Sequence, residues 1–228
     1  MWSLNLTLVE PASSLTDFAL GILAVTAALR LISRHTADHH WRWFFIWIGV
    51  AGLWGGFHHG FIVGHATVAA ISWSAVSLLV AIAISYLLAA SVTSVLGNGR
   101  GRPLLIIRAV SLAVFSILVV SGNSSVLTLM LTEGLAMALV VGLWLYAWRE
   151  SQPEVGLVLG AILISTLAAL LKASHLQFTM VGVEFDPNSL YHLVQMPGLF
   201  LLLIAIQRRP DTTIAPPEPA NPRMAVSA

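Results

Sequence analysis

Asn188, His192 and Gln195 fall at i, i+4 and i+7, the spacing of one helical face, and Tyr191 sits beside them. Such a stripe offers an amide, an imidazole and a second amide, groups suited to metal ligation, proton transfer or orientation of a bound ligand. A second source of imidazoles is the pair His58 and His59. Gly49, Gly52 and Gly56 share a face with His59, and small residues there let a neighbouring helix approach closely, which aims His59 inward. His58 lies about 100° round the helix from it. Lys172 and His175, at i and i+3, can face one way, and Lys172 is the only lysine in the chain. A catalytic zinc takes three protein ligands and an open position for water. His58 or His59, His192 and one of His175, Asp17 or Glu133 would complete such a set. Glu133 or Asp17 would then serve proton transfer, and Asn188 would orient water or substrate. Lys172, His175, Tyr191 and Gln195 remain as ligand-binding groups.

The composition says where these residues must work. Of 228 residues, 57% are hydrophobic and only 9% are charged, where a soluble domain carries about 25% charge. With mean hydropathy at +0.87, the solvent for most of this surface is lipid. That excludes a nucleic-acid binder and an ordinary cytosolic enzyme. The 0 cysteines exclude disulfides, thiolate nucleophiles and iron–sulfur centres.

Seven apolar runs are long enough to span a bilayer. They cover about 15–31, 43–63, 68–96, 103–120, 126–148, a sixth reaching about His175, and 188–206. Arginines mark alternate loops: Arg34 and Arg42, Arg100 and Arg102, Arg149, and Arg208 with Arg209. The positive-inside rule then places the N-terminus outside and the C-terminus in the cytosol of a bacterial inner membrane. The expected organisation is an extracytoplasmic 1–14, a seven-helix all-α bundle over 15–207, and a disordered, Pro-rich cytoplasmic tail over 208–228. Trp41, Trp43, Trp47, Trp144 and Trp148 fit an aromatic belt at the cytoplasmic side. In this frame Asp17, His58, His59, Glu133, Lys172, His175, Asn188 and His192 all fall in the outer half, contributed by five different helices. An ionisable group within a span costs roughly 2.5–3.5 kcal/mol on insertion scales, so their collection at one depth describes a polar pocket.

Each group also has a plainer use. Asp17 can cap the first helix, Glu133 can pair with Lys172 or a histidine across helices, and the histidines can hydrogen-bond the bundle together. Bis-histidine haem ligation between the second and seventh spans is a further option. Lys172 invites comparison with a retinal Schiff base, but it lies near the end of a span and lacks an acidic counter-ion pattern. His35, His39 and His40, with Asp38, read as a solvated interfacial loop on the cytoplasmic side.

The runs Gly55-Gly56-Phe57-His58-His59-Gly60 and Asn188-Ser189-Leu190-Tyr191-His192 resemble the CREST superfamily of seven-helix membrane proteins, in a bacterial branch. Alkaline ceramidases and progestin/adiponectin receptors belong to that superfamily. Its pattern is a Ser and a His on an early helix, an Asp soon after, and an H-x3-H pair on the last helix that binds zinc. The resemblance implies a zinc-dependent hydrolase of a lipid amide or ester, with His192 and one of His58 or His59 as ligands. Asn188 stands where the pattern has its first terminal His, and Trp54 or Gly55 where it has Ser. Without hydrolysis, the same pocket would serve a binding, sensor or transport protein for a small ligand or protons. Membrane lipids are the expected partners under either reading.

Overall fold

The computed structural model describes residues 8–34, 38–97 and 101–209. His35, Arg100, most of the N-terminal stretch 1–14 and the tail beyond Arg209 lie outside the described residues. Seven α-helices follow one another: α1 (Pro11–Arg34), α2 (His39–Phe57), α3 (Ala66–Leu96), α4 (Arg102–Val120), α5 (Val126–Arg149), α6 (Val155–Lys172) and α7 (Pro187–Arg208). Six of them, all but α2, are long and apolar enough to cross a membrane. The chain is a helical membrane protein. α2 falls short on hydropathy because its sequence is rich in Trp, Gly and His. A small antiparallel hairpin, β1 (Phe178–Met180) and β2 (Val183–Phe185), joins α6 to α7; sequence periodicity gave no sign of it, since three-residue strands carry too little pattern.

α1 packs chiefly on α2 and also on α7, α2 on α3, and α6 on α7, whereas α4 rests only on α3 and α5. The α1–α2 crossing is close because glycines meet in it: a Cβ on Gly52 would lie 2.9 Å from the Gly21 backbone. Bilayer-facing surface explains why Leu29, Ile71, Ile106, Ile117 and Leu163 are exposed. α1 begins at Pro11, one turn before the expected start near Leu15. The first-turn N–H groups of a helix have no internal partner, so proline is at home there.

The bundle end where α2 and α4 begin carries polar structure of its own. Trp41 and Trp144 are buried instead of lying in a belt, and their Nε1–H groups donate to Ser94 Oγ at 2.9 Å and Ser91 Oγ at 3.0 Å on α3. A buried indole N–H needs such an acceptor. Trp43 and Trp148 are exposed. Arg209 closes this end by donating to the Ser94 carbonyl at 2.9 Å and lies over the Trp144 ring at 5.0 Å.

Candidate functional site

The site begins with a local irregularity. After Phe57 the helix widens into a π-helical turn, His58–Ile62, in which the Val63 N–H donates to the His58 carbonyl at 2.9 Å. Because the helix ends at Ile62, the His59 and Gly60 carbonyls have no partner within it. The backbone N–H groups of Glu10 and Val9 take them at 3.2 Å and 3.0 Å, satisfying acceptors that burial would otherwise orphan. That docking brings the Glu10 carboxylate against His59 Nδ1, at 2.5 Å. It also separates the paired histidines. Their rings stand perpendicular, 5.0 Å apart, and His59 turns toward α1 and α7. His58 turns toward Trp73 on α3, 5.7 Å between ring centroids, and its buried Nδ1 has no partner.

Asp17 on α1 is the meeting point. His192 Nε2 lies 3.1 Å from Oδ1, and His59 Nε2 lies 3.8 Å from Oδ2. The carboxylate fits because Gly55 faces it: a Cβ there would come within 2.8 Å of Oδ2. Asp17 therefore does not cap its helix. Its oxygens face α2 and α7.

One assignment of hydrogens satisfies the contacts around His192. The one hydroxyl hydrogen of Thr16 is given to the Ala12 carbonyl at 2.8 Å. Thr16 Oγ1, 3.3 Å from His192 Nδ1, must then accept, which leaves Nδ1 protonated. His192 Nε2 and Asp17 Oδ1 would both be bare acceptors at 3.1 Å unless a proton lies between them. In this assignment one proton lies between His192 Nε2 and Asp17 Oδ1. His59 gives its Nδ1 hydrogen to Glu10, and its Nε2 accepts from Asn188 Nδ2 at 3.2 Å.

Asn188 ties the cluster to a cation. Its Oδ1 accepts from Lys172 Nζ at 2.8 Å, and its Nδ2 also reaches Ser13 Oγ at 3.2 Å. The ammonium lies 5.0 Å from the Tyr191 ring centroid and 5.6 Å from that of Trp73, distances at which aromatic faces attract a cation. Below it, Asp186 caps α7: its Oδ1 accepts from the Ser189 N–H and the Ser13 hydroxyl, both at 2.8 Å. Burial alone would raise the Asp186 carboxyl, but these hydrogen bonds outweigh it and hold the group below the ordinary aspartate value.

Of the residues singled out by sequence, Asp17, His59, Lys172, Asn188, Tyr191 and His192 come together, and His58 lies at the edge. Glu133 does not join them. It is 2% exposed on α5, beside Ser111 of α4, with Oε1 unpartnered. His175 is exposed beyond α6, and Gln195 donates to Ser165 of α6 at 3.0 Å, on the α6–α7 seam. Sequence reasoning missed Glu10, Ser13, Thr16, Trp73 and Asp186. Asp186 had a readable signal, since Asp followed by Pro at the first helical position is a helix start. Glu10 had none, because its role depends on the π-turn.

The resemblance implies zinc, and the residues fit it poorly. Among the described residues, only Asp38, His39 and His40 bring three potential ligand atoms within 4.8 Å of one another. Asp17, His59 and His192 do not converge that far, for the imidazoles approach different carboxylate oxygens. The lone pair of His59 Nε2 already faces an amide hydrogen of Asn188.

Fold and site together define a helical membrane protein with an acid–base cluster buried at one end of its bundle. The chain belongs to a family of unknown function (DUF6962), whose model matches residues 12–211. That match takes in every cluster residue except Glu10. No curated protein and no solved structure matches the chain.

Proposed function

We propose that the chain is a seven-span bacterial inner-membrane protein, N-terminus outside, that binds a small amphipathic ligand at the Asp17–His192–Lys172 cluster in its outer half. α2 serves as the seventh span: its 19 residues and the five of the π-turn make a rod of about 36 Å at 1.5 Å per residue, longer than the roughly 30 Å hydrocarbon core. Arg34, Arg42, Arg102, Arg149, Arg208 and Arg209 stand at helix ends opposite the cluster, which supports the orientation.

The observation that carries the reading is the Lys172 Nζ to Asn188 Oδ1 bond at 2.8 Å. Asn188 replaces the first terminal histidine of the CREST pattern, and through it the chain supplies a cation of its own. A fixed ammonium, a shared proton on Asp17–His192 and the unpartnered His58 Nδ1 favour a ligand whose head is rich in acceptors, its tail lying among the apolar helices. Thermal unfolding of detergent-purified protein with fatty acids or lysophospholipids tests this, because a ligand of the native state raises Tm by mass action. Wild type gains stability and Lys172→Met does not; equal shifts in both would sink the reading.

A second reading is the zinc-dependent lipid amide or ester hydrolase of the resemblance. It is favoured by the partners of the outer ring nitrogens, Glu10 on His59 and Thr16 on His192, since a hydrogen bond on the far nitrogen orients a metal-binding imidazole. A bound zinc would supply water acidified to a pKa of about 7. In this reading His59 and His192 would hold the ion and Asp17 would lie beside it as a proton acceptor, once Asn188 had released His59. Zinc in the purified protein, lost with His192→Ala, would favour it over the first.

A further inference from the structure

At the opposite end of the rod that carries His58 and His59, three consecutive residues converge. Successive residues of a helix fan out by about 100° each, which ordinarily keeps neighbouring side chains apart. Asp38 escapes that geometry because it caps α2 with an extended backbone, φ −50° and ψ 142°. Its Oδ1 accepts from the His40 N–H at 3.2 Å and lies 2.8 Å from His39 Nδ1. The two imidazoles fold toward each other, with ring centroids 3.9 Å apart. One ligand atom from each of the three residues lies within 4.8 Å of the other two.

The set brings one carboxylate together with two imidazoles. The Asp38 carboxylate faces both the His39 ring and the His40 N–H. His40 Nδ1 is shut off from solvent without a hydrogen-bond partner, and a buried polar atom left in that state costs about 1–3 kcal/mol. His39 is exposed, which leaves an approach from water. Two imidazoles and one carboxylate suit zinc, nickel or copper better than magnesium or calcium, which prefer all-oxygen sets.

We propose that Asp38, His39 and His40 bind one divalent transition-metal ion at the start of α2. The site is separate from the outer cluster and does not depend on the function assigned there. Because the chain has 0 cysteines, no thiolate competes for the ion.

Calorimetric titration of zinc into the full-length, metal-stripped protein in detergent tests the site. One binding event per chain is expected in wild type and in Asp17→Asn, and it is lost in the His39→Ala/His40→Ala double variant. Asp38→Asn retains a good cap but loses the ligand charge, so its affinity should fall at least tenfold while metal-free Tm stays near wild type. No event in wild type, or an event that survives the double variant, overturns the proposal. An event lost in Asp17→Asn also overturns it and moves the ion to the outer cluster.

Discussion

His192 on α7 and Asp17 on α1 face each other across the bundle, with Nε2 and Oδ1 3.1 Å apart and the opposite ring nitrogen 3.3 Å from Thr16 Oγ1, an arrangement that suits a shared proton. Neither helix could supply this pair alone. The glycines of α2 let α1 approach, and the Asp186 cap sets where α7 begins. The contact is a consequence of backbone packing as much as of side-chain chemistry. Isotope-edited infrared difference spectra between two pH values should contain a carboxyl band from Asp17 that disappears in Asp17→Asn and shifts in His192→Gln. Spectra unchanged by both variants would exclude the shared proton.

Gly55→Ala should damage this site more than any other small change in α2. The added methyl would come within 2.8–2.9 Å of both Asp17 oxygens, and overpacking of this kind costs about 1–3 kcal/mol. Gly134→Ala is the control, because nothing lies within 4 Å of its Cβ position and alanine favours a helix by up to about 1 kcal/mol. Thermal unfolding in one detergent should rank Gly134→Ala at or above wild type and Gly55→Ala well below it. Equal stabilities would contradict the packing.

Lys172 and Asp17 should be energetically coupled across α6 and α1. Lys172→Met strips the cluster of its fixed positive charge and leaves Asn188 Oδ1 without its donor. Asp17→Asn should lessen that penalty. A double-mutant cycle is expected to give about 0.5–3 kcal/mol of coupling, the range for residues in one network. Strict additivity would mean that Lys172 serves a separate purpose.

Much of this architecture is legible in the chain because a bilayer makes hydropathy decisive. The runs at 15–31, 68–96 and 103–120 correspond to α1, α3 and α4 within a turn at each end. Alternating arginines indicate which helix ends lie together, and that grouping brings Asp17, His59, Lys172, Asn188 and His192 to one depth. Depth is not azimuth, however. Glu133 shares the depth but faces Ser111, away from the cluster, and a uniformly apolar helix such as α5 has no amphipathic stripe to reveal this. The π-turn was equally hidden, since it depends on Val9 and Glu10 arriving to take its carbonyls. Trp41 and Trp144 resembled a belt because their serine partners lie on another helix.

Glu133→Gln therefore separates depth from membership. It should leave the Asp17 infrared band and the ligand-induced rise in Tm unchanged, whereas Asp17→Asn removes the first and Lys172→Met the second. Loss of either signal in Glu133→Gln would place that carboxylate in the site after all.

Acid should loosen the junction of α1 and α7 through Asp186. Its carboxyl titrates below the unfolded value in the folded protein, so its contribution to stability is fully present above the unfolded pKa. That contribution is lost as pH falls through the lower, folded pKa. Asp186→Asn keeps a capping side chain and should flatten the fall in Tm between about pH 5 and pH 3. An unchanged acid limb would remove Asp186 as its source.

The most direct test of the proposed reading, that Lys172 and the Asp17–His192 pair form a ligand site without zinc, is elemental analysis of protein purified without chelators. It should be carried out in the His39→Ala/His40→Ala background, so that ions held by the α2 cap are not counted. The account predicts no stoichiometric zinc and no difference when Asp17→Asn or His192→Ala is added. About one zinc per chain, lost with either substitution, would contradict it and make hydrolysis of lipid amides the reaction to assay.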